Sequence, residues 1–361
     1  MVSGDTLVPS GQDSLFSVFT RFDERLSEFQ DPRTKGFPLL QSTTFVLITT
    51  LVYLLIVLYA GPRYMANRKA IKLKTVIRAY NVMQICVCSY IVYQSFANDF
   101  SVSRALFTTC YPVSKDPADQ KARNIITLFY VTYLIKLSEL VETVFFVLRK
   151  KFNQVSGLHL YHHVSTLYII WYAARYYPGG VALFPILLNS IVHIVMYAYY
   201  LVSNFGPKWQ ARMAPIKPYI TIVQMAQFVL LIAMSFNLLS PFYCKEGPQG
   251  FCFVFAPNIV IVFFLFYRFF QRTYVATGHP TPLSKRTSSN KPAVNLISAS
   301  QDQQQQSQQQ QKQTNKKLQT DSNNNLKISQ KQMNKKLQTD SNNNLKISQK
   351  KSSAPKAKKI Q

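Results

Sequence analysis

Seven apolar blocks dominate this chain, and each approaches the ~20 residues that carry a helix across a bilayer. They occupy residues 43–60, 76–96, 124–147, 157–176, 181–203, 216–239 and 251–270. A helix of that length satisfies every backbone N–H and C=O within itself, which is what a lipid environment demands. The pattern therefore predicts an all-α integral membrane protein of about seven transmembrane helices, with a membrane domain over residues 43–275. The second and third blocks carry the most polar residues, so their ends are the least defined by hydropathy.

Charge predicts the orientation. Arg63, Arg68, Lys69, Lys72, Lys74 and Arg78 lie between the first two blocks with no acid among them. The loops of the same parity carry Arg149, Lys150 and Lys151, and then Lys208, Arg212 and Lys217. Loops of the other parity are mixed: Asp99, Asp116 and Asp119 offset Arg104, Lys115, Lys121 and Arg123. The positive-inside rule then puts the N-terminal arm, residues 1–42, in the lumen and the C-terminus in the cytosol. Residues 1–14 have neither a basic start nor an apolar core, so no cleavable signal is expected and the first span directs insertion.

An oxidising lumen permits a disulfide between long lumenal loops. Cys110 pairs with Cys244 in this reading, since Cys252 already begins the last span, while Cys86 and Cys88 point different ways on one helix.

The net charge of +26 does not read as a nucleic-acid interface. Residues 281–361 hold 16 Lys and Arg against three Asp, half of that charge. This segment has two runs of four Gln, and its residues 315–331 recur letter for letter as residues 334–350. Two repeats without an apolar face build no core, so a disordered basic Gln/Asn-rich cytosolic tail is expected, attracted to anionic lipid. Lys358 and Lys359 stand fourth and third from the end, resembling the dilysine retrieval signal of endoplasmic reticulum membrane proteins.

Polar residues interrupt four blocks at helical spacing. Lys136, Glu139, Glu142 and Thr143 form one stripe of the third. A charge at mid-membrane costs about 2.5–3.5 kcal/mol on insertion scales, so Lys136 and Glu139 should face inward and pair, whether as a structural lock or beside a substrate. The fourth block opens with His159, His162 and His163, which fall on one helix face and account for three of five histidines. Imidazole is both a nucleophile and a proton carrier near neutral pH. The fifth block sets Asn189, His193, Met196, Tyr197 and Tyr200 on one face. The sixth has Thr221, Gln224 and Gln227, amides that serve either as helix glue or as donors to a developing oxyanion.

These four sets, in this order, resemble the ELO family of very-long-chain fatty acid elongases. The matching stretches are Lys136 to Thr143, His159 to His163, Asn189 to Tyr200 and Thr221 to Gln227, and the resemblance spans roughly residues 40–275. Glu142 is a departure, since the family usually has Asp there. The resemblance implies an endoplasmic reticulum acyltransferase that condenses a long-chain acyl-CoA with malonyl-CoA. The product is a 3-oxoacyl-CoA two carbons longer, with release of carbon dioxide and CoA. It implies a helical barrel around an acyl-chain tunnel, with membrane lipid and the other enzymes of the elongation cycle as surroundings, room for a homo-oligomer, and no resident cofactor or metal.

Acyl transfer needs a nucleophile, an acid for the leaving thiolate, and donors for the enolate that decarboxylation creates. The residues expected to supply these are His162 as nucleophile, with His159, His163, His193 and Asn189 in acid–base or oxyanion roles. Lys136, Glu139, Tyr197, Gln224 and Gln227 are expected to line the substrate. A membrane di-iron desaturase or hydroxylase is the main rival, because iron accepts imidazole. Such enzymes use about eight histidines in three boxes. This chain has five, with His279 beyond the last span. A seven-span receptor fits the helix count but does not need an ion pair beside a histidine cluster.

Overall fold

A computed structural model describes residues 21, 23–107, 114, 116, 118–239 and 249–276. The expected Cys110–Cys244 pair and the repeat-bearing tail lie outside these residues. Cys252 is a buried free thiol.

The described residues are helical and contain no strand. Seven long helices are present: α1 Thr43–Met65, α2 Lys74–Ala97, α3 Gln120–Leu148, α4 Gly157–Tyr176, α5 Leu183–Ser203, α6 Lys217–Leu239 and α7 Gln249–Phe270. Among the described residues five segments, built on α1, α2, α5, α6 and α7, are long and apolar enough to cross a membrane. The other two, α3 and α4, carry the Lys–Glu stripe and the histidines. Their side chains of that kind turn inward, so polarity in these two helices belongs to the interior of the bundle. Outward faces are apolar: Ile48 and Leu51 on α1, Phe236 on α6 and Phe253 on α7 are all exposed. Exposed apolar bands of this extent are what lipid covers in a membrane protein.

Local chemistry starts the helices where the sequence allows. Ser42 caps α1 by accepting from the Phe45 N–H at 3.1 Å. Asp119 caps α3 through the N–H groups of Lys121 and Ala122. Ser156 caps α4 by accepting from the N–H of His159 at 3.2 Å, which satisfies an orphan donor in the turn that carries the first histidine. Between α4 and α5 the chain turns at Gly179 and Gly180, with φ of 141° and 58°, a backbone region open chiefly to glycine.

The helices close a ring. α2 packs on α5, α5 on α6, α6 on α7, α7 on α4, α4 on α3, and α3 back on α2. α1 stands outside the ring against α3. The expectation from hydropathy ended the first helix at Ala60, ahead of Gly61-Pro62. The helix instead continues to Met65 through a π-helical turn, Ile56–Ala60, after which Pro62 occupies the first turn of the next α-helical segment. Proline is tolerated there because its missing N–H has no obligatory partner.

One end of the ring is covered by the segment before α1. Trp171 Nε1 donates to the Leu40 carbonyl at 3.1 Å, and the Tyr133 hydroxyl to that of Leu39 at 3.0 Å. The Arg175 carbonyl accepts from the Asp31 N–H at 3.1 Å. The Arg175 guanidinium, 1% exposed, donates to Thr43 Oγ1 and lies 3.6 Å from Asp23. Backbone groups that would be orphaned at the mouth of a ring are thereby paired with side chains from α3 and α4.

Candidate active site

The sites on α3, α4 and α5 are built around one carboxylate. Glu139 is 1% exposed and accepts from Lys136 Nζ at 2.8 and 2.9 Å. Opposite charges three residues apart on a helix meet naturally, and burial makes each indispensable to the other. His193 Nδ1 of α5 comes within 3.4 Å of Glu139 Oε1, and His163 Nδ1 of α4 within 3.9 Å of Oε2. Three helices therefore converge on this group.

Glu142, one turn further along α3, forms the second node. Its Oε1 accepts from the hydroxyls of Tyr197 at 2.5 Å and Tyr80 at 2.9 Å. Its Oε2 lies 3.8 Å from His163 Nε2. The imidazole of His163 thus sits between two carboxylates, one near each ring nitrogen. Gln84 of α2 supports the arrangement by donating to the Tyr80 oxygen at 2.6 Å and to Ser138 Oγ at 3.1 Å. Thr143 completes the stripe, with Oγ1 at 2.8 Å from His159 Nε2. The three box imidazoles lie together: ring centroids are 4.2 Å apart for His159 and His163, and 5.5 Å for His162 and His163.

Two cavities run through the ring. A chamber of about 590 Å³ is bordered by all four of these histidines, and by Glu139 and Glu142. It also meets Lys217 at the start of α6 and Thr273 beyond α7. A smaller cavity of about 80 Å³ adjoins it, between Ile170, Ile186, Leu231, Phe255 and Ile259. The two share four lining residues: His162, Asn189, Gln227 and Phe228. Because neighbouring helices are antiparallel, the chamber takes its lining from the ends of α3, α5 and α7 and the starts of α4 and α6. The smaller cavity takes the opposite ends. A polar room thus lies next to an apolar slot, with His162 bordering both.

All ten residues singled out in the sequence for catalysis or substrate contact line these spaces. Lys136 borders the slot. His159, His163, His193, Glu139, Tyr197 and Gln224 border the chamber, and His162, Asn189 and Gln227 border both. Gln224 also donates to Met196 Sδ at 3.4 Å. Sequence reasoning passed over Tyr80, Gln84, Tyr53 and Asn258, which accepts from the Tyr161 hydroxyl at 3.0 Å. Tyr80 and Gln84 had a visible signal, polar groups at i and i+4 inside an apolar block. Tyr53 and Asn258 had none, since neither belongs to a polar stripe at helical spacing.

A family model described as the ELO, GNS1/SUR4 family matches residues 38–281. The chain belongs to the ELO family. It is 34% identical over 263 residues to very long chain fatty acid elongase 7 of Drosophila melanogaster, covering 73% of this chain and 78% of the relative. It is 36% identical over 252 residues to a very long chain fatty acid elongase of Aedes aegypti, covering 70% and 69%. With human very long chain fatty acid elongase 4 the identity is 30% over 276 residues, covering 76% and 84%. Family membership sets aside the desaturase and receptor readings.

Glu142 stands where the resemblance led Asp to be expected, and its carboxylate meets two hydroxyls, those of Tyr80 and Tyr197. Glu142→Asp withdraws the group by about one C–C bond and weakens two charge-assisted hydrogen bonds, each worth about 1.5–3 kcal/mol. The expected result is at least a tenfold loss of turnover in membranes, with protein abundance unchanged. Wild-type turnover in this variant would show that the carboxylate position is not critical.

Proposed function

We propose that this chain is the condensing enzyme of fatty acid elongation, joining a long-chain acyl-CoA to malonyl-CoA. The observation that carries the reading is the position of His162, which borders both a polar chamber and an apolar slot. A thioester whose acyl chain enters the apolar slot brings its carbonyl carbon to this ring, while CoA stays in the chamber. The other histidines have polar neighbours that fit them to proton transfer or to hydrogen bonding. His159 meets Thr143, His163 lies between Glu139 and Glu142, and His193 lies against Glu139. The His162 ring meets those of His163 and Phe266.

In the proposed reaction a His162 nitrogen attacks the acyl carbonyl and the C–S bond breaks, leaving an acyl-imidazole. The proton released by the His162 ring passes through a neighbouring histidine to the thiolate, and CoA departs. Malonyl-CoA then enters, and its C–C bond to the carboxylate breaks with loss of carbon dioxide. The resulting enolate holds its negative oxygen against donors, for which Asn189, His193 and Gln227 are placed. Its carbon attacks the acyl-imidazole, the C–N bond breaks, and the departing His162 nitrogen takes up a proton from solvent through a neighbouring histidine, beside a 3-oxoacyl-CoA two carbons longer.

In this reading all seven helices cross the endoplasmic reticulum membrane, with the chamber and the basic turns at the cytosolic face. The covered end of the ring and the N-terminal arm are lumenal, and the basic tail is cytosolic. Lys217 stands where it can meet phosphate of the CoA moiety. The membrane domain then ends near residue 275, and no cofactor or metal takes part. The test uses membranes expressing the chain, labelled malonyl-CoA and a panel of acyl-CoAs. Products two carbons longer are expected. Their absence in correctly located protein would refute the proposal.

A further inference from the structure

Helix α1 stands outside the ring, yet it reaches the site through one side chain. The Tyr53 hydroxyl lies 2.7 Å from Thr143 Oγ1, which in turn lies 2.8 Å from His159 Nε2. Tyr53 is 5% exposed and Thr143 fully buried, so no bulk water competes for either hydroxyl. We infer that Tyr53 is a positioning residue for His159, acting through Thr143 to hold this imidazole with its proton on Nδ1.

The direction of the chain follows from its chemistry. A phenol is a far stronger acid than an aliphatic alcohol, and imidazole is the base at the end of the row. Tyr53 therefore donates to Thr143 Oγ1, and Thr143 donates to Nε2. A ring nitrogen that accepts in this way leaves the proton on its partner. His159 then has Nε2 occupied and presents Nδ1–H, which suits it to proton transfer and excludes it as acyl acceptor through Nε2.

The shape of α1 serves the same contact. At about 100° per residue, an unbroken α-helix would leave Met65 about 100° away from the face of Val46. The additional residue of a π turn cancels that drift. Val46, Tyr53 and Val57 before or in the turn, and Met65 after it, are all buried on one face. At Gly61 a Cβ would meet the Ile56 carbonyl oxygen at 2.6 Å and Val147 Cγ1 at 2.7 Å. The π turn and a residue without a side chain thus let the second half of α1, from Ile56 to Met65, press on α3, next to the turn that sets Tyr53 over Thr143. Single-turn π segments of this kind are frequent near functional sites.

The inference rests on the elongase reading for its kinetic consequence but not for its chemical one, and the test separates the two. Tyr53→Phe, Thr143→Val, their double variant and Thr143→Ser are compared in whole membranes. Tyr59→Phe serves as control, since Tyr59 faces outward from α1, 56% exposed. Tyr53→Phe should lower kcat about five- to tenfold with the KM of both substrates within about twofold, as expected for one lost hydrogen bond. The double variant should fall no further than Thr143→Val alone, and Thr143→Ser should retain activity.

Independently of turnover, diethyl pyrocarbonate should modify His159 several times faster in Tyr53→Phe than in wild type or the control, read by peptide mass spectrometry. Unchanged modification of His159 in Tyr53→Phe would overturn the inference, even if activity fell. So would a wild-type kcat. Faster modification in a chain that elongates nothing would uphold the coupling of Tyr53 to His159 while refuting the elongase reading.

Discussion

His162→Ala is expected to reduce two-carbon elongation by at least about 10³-fold, the scale seen when a covalent nucleophile is removed. Incubation of the wild-type chain with acyl-CoA alone should leave an adduct of acyl mass on the peptide containing residues 157–176, and the variant should leave none. The reason is positional. His162 is the histidine that borders both cavities, which in the proposed reaction sets it at the carbonyl of an acyl chain held in the slot. His193→Ala should behave differently. It removes a donor near Glu139 and costs about 10²-fold, the usual scale for one oxyanion or acid–base group, but the adduct should still form. An adduct that survives in His162→Ala would move the nucleophile to another box histidine.

The second large effect is on stability. Glu139→Gln leaves Lys136 buried without its counter-charge, and breaking one partner of such a pair costs about 3–5 kcal/mol. That is a large share of the 5–15 kcal/mol that holds a typical domain together. The variant should accumulate poorly and lose its monodisperse profile in detergent after mild heating. Lys136→Met with Glu139→Leu removes both charges and should restore the profile, because no orphan ion remains. It should not restore turnover, since His163 and His193 both lose the carboxylate beside them. If the apolar double variant elongates normally, the pair is structural and not part of the site.

Much of this was legible in the sequence for one physical reason: a charge or imidazole in lipid is costly, so its presence marks an interior surface. That logic located Lys136, Glu139, the histidine box, His193, Asn189 and the two glutamines, and every one of them lines the cavities. It also located the helices, since the block 157–176 coincides with α4 and residues 76–96 fall within α2. The first apolar block ends at Ala60, whereas α1 runs on to Met65. The π turn that carries the helix past Ala60 is a backbone register, for which no residue type is diagnostic.

What the sequence determined by itself is which helices form and which of their faces turn inward, because length, hydropathy and spacing are properties of each segment alone. The tertiary structure decided how those faces meet. Only the closed ring sets His163 between carboxylates that lie one turn apart on α3, and draws Tyr80 from α2 and Tyr197 from α5 onto one oxygen of Glu142. It also places Tyr53 of the outer helix over Thr143. These are contacts between residues far apart in the chain, fixed by helix packing and hydrogen-bond distance, and a tyrosine in an apolar helix carries no mark of its partner until the helices are packed.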